Sequence, residues 1–240
     1  MAEVYNPLDK SNLGKSVADA LLKQPVHPLD AIPLFEGAGI YVLYYNGPFP
    51  DYAPIAAANA DEARWPIYIG KAIPSGGRKG ASLSASARGT SLYKRLAEHR
   101  ESIREVEQGS GSLAVKDFQA RYLTVDDIWI PLGESLLIAS FRPVWNIALD
   151  GFGNHDPGKG RYVGLRPLWD HVHPGRSWAT KCAVRPETMA ELSERLTHYL
   201  GAHPLEADDD EASPITPPKP RGARLKMLRR KSGSTQGGVK

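Results

Sequence analysis

The sequence predicts a water-soluble domain that mixes strands with helices, and three observations carry that prediction. Hydrophobic residues make up 41% and charged residues 24% of 240, the balance of a chain that buries a core. Two short runs, Gly39-Ile-Tyr-Val-Leu-Tyr-Tyr45 and Pro66-Ile-Tyr-Ile-Gly-Lys71, are rich in the β-branched and aromatic residues that favour strands. Three later segments carry apolar residues at helical spacing. Other properties exclude whole classes. A net charge of +3 permits a polyanionic partner without requiring one. No apolar run approaches the roughly 18–20 residues that cross a bilayer, and Met1 to Tyr5 lack the features of a signal peptide. The single cysteine, Cys182, rules out an internal disulfide and any zinc site needing two thiolates. The expectation is a cytoplasmic protein without structural zinc.

Taken in order, Ser16 to Leu22 predicts a short helix with Ser16 as N-cap, stopped by Pro25, Pro28 and Pro33. The strand 39–45 ends at the turn signal Asn46-Gly47-Pro48. An insertion follows, alanine-rich and helical from Ile55 to Arg64, before the strand 66–71. Residues 73–90 hold glycines, serines, Arg78, Lys79 and Arg88 without apolar periodicity and read as a loop. Ser91 to about Glu107 reads as a helix with Ser91 as N-cap, Phe118 to Val125 as a strand, and Ile130 to Phe141 as a helix halted by Pro143. Residues 145–178 are irregular, and Pro186 to Leu200 predicts an amphipathic helix through Met189, Leu192, Leu196 and Leu200. The acidic cluster Asp208 to Glu211, four prolines and then the basic run Lys219 to Lys231 predict a solvated tail able to add nonspecific phosphate contacts. The expected organisation is an extension over 1–36, a folded domain over 37–200 and a tail over 201–240.

Two helices break their own pattern. On the stripe Leu92, Leu96, Ile103 falls His99, with Arg95 one turn before it. Polar groups there need an anionic or polar partner inside, or they pair outward with Glu98 or Glu101. In the second helix Glu134 is the only carboxylate between Trp129 and Trp145, and its neighbours at i+3, i+4 and i+7 are Leu137, Ile138 and Phe141. Burial raises a carboxyl pKa unless a cation is near, so a basic side chain such as Arg95 or a hard divalent metal is the expected partner. A structural role at the helix dipole is the other reading of the same residue.

Gly39-Ile40-Tyr41, Tyr68-Ile69-Gly70, an Arg-x-x-x-His helix (Arg95, His99), a helix carrying Glu134 and then Asn146 together resemble the GIY-YIG nuclease superfamily. The ordered set over residues 39–146 makes the resemblance specific, since each three-letter motif alone is common. The long gap between the tyrosine motifs looks like the subgroup of Type II restriction endonucleases that recognise the palindrome CCGCGG. Gly47-Pro48-Phe49-Pro50, Pro66 to Ala72 and Trp145-Asn146 through Gly160-Arg161 look like it too. Resemblance covers roughly residues 30–180. It implies an α+β fold, a small central antiparallel sheet of about three strands flanked by helices.

The resemblance also implies a chemistry. Glu134 would hold one Mg²⁺, which binds through one or two carboxylates plus waters and phosphate oxygens. Tyr41 would act as general base, with Lys71 and His99 both candidates for tuning a phenol whose pKa is ordinarily near 10. Tyr68 would orient the water or a phosphate oxygen, Arg95 would clamp the phosphate, and Asn146 would orient the site. Cutting both strands of a palindrome implies a homodimer on double-stranded DNA, and a restriction enzyme implies a cognate DNA methyltransferase. Candidate DNA contacts are Arg78, Lys79 and Arg88, the Asn46–Arg64 insertion, and His171, His173 and Arg176. The His-x-His pair also permits metal ligation, and His155 and Asp156 are further DNA contacts or loop caps. The alternatives are a GIY-YIG nuclease of repair or mobile elements, and a DNA-binding protein of this fold without catalysis.

Overall fold

Gly39–Tyr45 is buried along its whole length, which fits a central strand with both faces covered. It belongs to a four-stranded antiparallel sheet made of His27–Pro28 (β1), Gly39–Tyr45 (β2), Pro66–Ala72 (β3) and Phe118–Thr124 (β4). The spatial order is β1-β4-β2-β3. This computed structural model describes residues 9–73 and 89–203. Its helices are Lys10–Leu22 (α1), Ala53–Ala58 (α2), Ser91–Gln108 (α3), Ile130–Phe141 (α4), Val144–Ile147 (α5), Leu168–Val172 (α6) and Met189–Ala202 (α7). The α+β architecture is the one expected. The extra strand is β1, whose two residues pair with Ala120 and Gln119 and are too few to show any alternation.

Side chains alternate across the sheet and so divide the core in two. Tyr41, Leu43 and Tyr45 face a large cluster that includes Leu96 and Ile103 of α3, Trp145, Phe152, Trp169 and Leu196. Ile40, Val42 and Tyr44 face a smaller one built from Ala18 and Leu21 of α1 and Ile130, Leu137 and Phe141 of α4. Helices therefore cover both faces, and each fully buried aliphatic or aromatic side chain contributes about 1.5–3 kcal/mol relative to exposure.

Several boundaries differ from expectation. The first helix begins at Lys10, so Ser16 lies inside it rather than capping it. Its polar first turns show no apolar periodicity; Gly14, with Leu132 and Leu136 of α4 beside it, brings this stretch against the neighbouring helix. In α3 the N-cap is Thr90, with Ser91 as the first helical residue. The insertion helix α2 stops at Ala58, well before Arg64. Asn59 ends it: its amide donates to Tyr45 O and Trp65 O, and its oxygen accepts from the N–H groups of Arg64 and Trp65. With Tyr52 and Ile55 also buried, much of the Asn46–Arg64 insertion is a buttress for β2. The last helix starts at Met189 behind a capping box formed by Thr188 and Glu191. Residues 74–88, expected as a loop and including Arg78, Lys79 and Arg88, and residues 204–240, expected as a tail, lie outside the described residues.

Gly39 and Gly70 are glycines for steric reasons. A Cβ on Gly39 would stand 1.9 Å from the carbonyl oxygen of Leu123 on β4, and one on Gly70 would stand 2.3 Å from the hydroxyl of Tyr41. The first clash is with backbone that cannot swing away. Gly39→Ala is therefore expected to destabilise the fold by about 2–3 kcal/mol or more, measured as a shift in urea midpoint; an unchanged midpoint would contradict this β2–β4 approach.

Candidate active site

The strand register sets the site. Tyr41 lies opposite Gly70 and Leu43 opposite Tyr68, so both tyrosines stand on the α3 side of the sheet, with nothing on Gly70 to part their rings. The ring centres are 6.2 Å apart. On α3, the step of four residues brings Arg95 and His99 onto the face that meets them. His99 is buried, and its Nε2 lies 2.5 Å from the hydroxyl of Tyr41. The imidazole stacks on Phe152 at 4.4 Å and an interplanar angle of 18°. Arg95 stands at the mouth, its side chain 18% exposed. One end of its guanidinium donates to Gly153 O and the other to Glu98 and His155. The outward pairing with Glu98 and the inward approach to the phenols thus coexist, whereas His99 faces inward alone.

Burial decides the charges in this cluster. It pushes the Tyr41 hydroxyl well above its usual 10; Tyr68 adds to the rise and Arg95 opposes it. Tyr68 is raised as well, by burial first, with Arg95 pulling down and Glu134 pushing up. His99 is held well below 6.5, first by burial and then by the positive charges of Arg95 and Arg176. At neutral pH the pair is a phenol hydrogen-bonded to a neutral imidazole.

Glu134 sits on α4, across the sheet. Alternation sends Lys71 of β3 to the same side, where its ammonium meets the Glu134 carboxylate at 2.5 Å. The cationic partner of Glu134 is therefore Lys71, and Arg95 pairs elsewhere. That carboxylate still reaches the tyrosines through its field, which raises both. Asn146 at the end of α5 clamps the free edge of β3, accepting from Ile69 N–H and donating to Ile69 O, both at 2.8 Å. The residue so held lies between Tyr68 and Gly70. No group of three or more metal-ligating side chains occurs among the described residues. A hard oxygen donor with 16% of its side chain exposed fits a magnesium site of the one-carboxylate kind, completed by water and phosphate.

The remaining candidates divide. His173 and Arg176 are interior, at 0% and 1% exposure, and offer nothing to DNA in this structure. Trp145 donates to the Tyr52 hydroxyl, which lies 2.7 Å from His173 Nε2, while Nδ1 is 3.0 Å from Ser112 Oγ. With both nitrogens engaged, His173 has no atom left for a metal. All five donors of Arg176 are taken, two by Asp170 and three by the carbonyls of Gly151, Phe152 and Asn154. His171 is half-buried with Nε2 on Glu187 O. Asp156 caps its loop, accepting from Gly158 N–H and the Tyr162 hydroxyl, whereas His155 is turned onto Arg95. Phe152 and the Gly153 carbonyl carry no mark in the sequence, because a loop backbone has neither periodicity nor motif; the glycine is required because a Cβ there would come within 2.6 Å of the Tyr68 hydroxyl.

A family model described as the Eco29kI GIY-YIG domain matches residues 33–200, well over half of the chain. No curated protein matches it.

The buried neutral histidines have a pH consequence. Burial lowers His173 from 6.5 to about 3, and His99 is lowered as well. Below about pH 6.5 the unfolded chain takes up protons that the folded chain refuses. Their stabilisation is thus complete above that value and lost as pH falls towards the folded value, by about 1.4 kcal/mol per pH unit per histidine. Urea denaturation between pH 7 and pH 4 is expected to show this slope, reduced by close to one proton in His173→Gln. An equal slope in the two proteins would mean that His173 titrates normally.

Proposed function

The chain belongs to the family of the Eco29kI GIY-YIG domain, a restriction-type nuclease family whose substrate is DNA, and on that premise we propose a Mg²⁺-dependent Type II restriction endonuclease. It hydrolyses phosphodiester bonds of double-stranded DNA at a short GC-rich palindrome, CCGCGG by resemblance. It works as a homodimer in the cytoplasm beside a DNA methyltransferase of the same specificity. Residues 37–200 make up the nuclease domain, between an extension over 1–36 and a tail over 201–240, and Arg78, Lys79 and Arg88 contribute to DNA binding.

The observation that carries this reading is the 2.5 Å contact between Tyr41 and His99 in a buried cluster with Arg95 at its mouth. Hydrolysis needs a proton taken from water, negative charge stabilised at phosphorus and help for the departing 3′ oxygen. A buried phenol is a poor base by itself because its phenolate is disfavoured. Neutral His99 makes a free phenolate unnecessary: as water gives its proton to Tyr41, the Tyr41 proton passes to His99. The imidazolium that results, which burial disfavours, is balanced by the negative charge of the phosphate and the forming hydroxide. Of the two tuning candidates this favours His99, since Lys71 is engaged with Glu134. Arg95 redirects its fork to a phosphate oxygen, which a planar multi-donor group suits. Tyr68, next to it in the cluster, orients the water or a second phosphate oxygen. Asn146 keeps Tyr68 and Gly70 in register by holding the backbone between them. Glu134 is the residue that would hold the divalent ion, and a bound ion would supply charge neutralisation at the phosphate and the leaving oxygen. Lys71 keeps a cation beside that carboxylate.

The decisive experiment is digestion of a plasmid of known sequence with Mg²⁺, followed by mapping of the ends. Ends confined to one GC-rich palindrome are expected; scattered ends or intact plasmid would overturn the proposal. Glu134→Ala is expected to lose at least about a hundredfold in cleavage, the equivalent of several kcal/mol of charge stabilisation, while binding the site within a few-fold of wild type. Tyr41→Phe is expected to fold and to lose about 10²–10⁴ in rate; near-normal turnover would reject the proton relay.

A further inference from the structure

We propose that the buried Asp170–Arg176 ion pair is a positioning device for the active site, acting through the loop 151–154 on Arg95 and His99. The inference rests on the nuclease reading for its kinetic consequences, but its geometry stands apart from it.

Arg176 is in the segment after α6, with its guanidinium between Trp169 and Trp178, 4.7 and 4.8 Å from their ring centres. Its Nε and Nη2 grip the two oxygens of Asp170 at 2.6 and 2.5 Å. What remains of its donors is spent on the loop: Nη1 reaches Phe152 O and Asn154 O at 2.9 and 3.0 Å, and Nη2 reaches Gly151 O at 2.9 Å. The one carbonyl of this turn that Arg176 does not take, Gly153 O, accepts from Arg95 at 2.6 Å. The ring of Phe152 is the one stacked on His99. Four consecutive residues thus present their carbonyls in two directions, three toward Arg176 and one toward Arg95.

The segment bearing Arg176 is in turn docked on α3, the helix that carries Arg95 and His99. Ser177 N–H donates to Glu105, and Ser110 N–H donates to Pro174 O just past the helix end. A Cβ on Gly175 would stand 2.4 Å from the Val106 backbone. The chain of contacts therefore closes: α3 holds the segment, the segment holds Arg176, Arg176 holds the loop, and the loop returns to α3 at its two functional side chains. A cation with five donors in a rigid plane is what this takes, because three carbonyls and a carboxylate must be met at once. A hydrophobic pair could fill the volume but could not orient the carbonyls.

Two variants separate positioning from mere support. Arg176→Lys keeps the charge but has three donors. The double variant Asp170→Leu with Arg176→Met removes the buried pair altogether, a kind of exchange that often leaves stability intact. In the full-length protein, each is assayed for the fraction folded, for site-specific DNA binding, and for cleavage at saturating DNA and Mg²⁺. Loss of positioning is expected to lower kcat per folded molecule by about 10–100-fold, the effect of a small misplacement of a reacting group, with DNA affinity changed less than threefold. Amide hydrogen exchange at Phe152 to Asn154 is expected to accelerate in the same variants. If one variant does not fold, the other carries the test. Turnover within twofold of wild type, or unchanged exchange in the loop, would overturn the proposal. A wild-type protein that cuts no DNA would instead overturn the nuclease reading, and the exchange measurement would still decide whether Arg176 orders the loop.

Discussion

A phenol and an imidazole sealed into an apolar interior cannot afford a charge between them, and this constraint organises the molecule. Desolvation drives Tyr41 up and His99 down, so both are neutral and the hydrogen bond between them is their mutual satisfaction. The cost of leaving either polar group without a partner at this depth would be about 1–3 kcal/mol. The surrounding sequence serves that contact. Gly70 leaves room for the Tyr41 ring, Gly39 lets β2 lie close to β4, and Phe152 gives the imidazole a flat wall. In the mechanism we propose, the same neutrality gives the pair a proton path, because a neutral imidazole beside a neutral phenol has a site open to a proton.

Charge is kept at the margins of this neutral centre and divided between the faces of the sheet. Arg95 stands on the tyrosine side, Lys71 and Glu134 on the other, and β3 runs between them as the edge strand. An edge strand has unpaired backbone groups and is free to shift. The side-chain amide of Asn146 takes up both free groups of Ile69, as another strand would. Cation, carboxylate and phenols thereby keep a fixed relation across a strand that, among the described residues, has no further strand on its outer side.

The irregular stretch after α5 contributes more than connection. Trp145 of α5, Trp169 of α6 and Phe152 between them fill the space between the sheet and the last helices, and the buried cation of this stretch sets the direction of loop carbonyls. The arginine and histidine there draw attention in the sequence as candidate DNA contacts, because basic side chains commonly read guanine-rich sites in the major groove. In the fold they are almost fully enclosed, at 1% and 0% exposure. Composition cannot tell a solvated cation from one with all five donors satisfied internally.

The two long strands, the third strand near 118, the helices from Ser91 and Ile130 and the late amphipathic helix were all legible in the residues, because periodicity and branched or aromatic composition act locally. So were the polar breaks in two helical stripes, which marked Arg95, His99 and Glu134 as side chains needing partners. Which partners they take was decided only by tertiary structure. Lys71 meets Glu134 because both belong to the same side of the sheet, and His99 meets Tyr41 because α3 packs on the other side, the one Tyr41 faces. Register and helix crossing are set by packing across long stretches of chain, and no local pattern encodes them. The same holds for the helix start at Lys10 and the two-residue strand at His27, whose reason to exist is the surface they lie against.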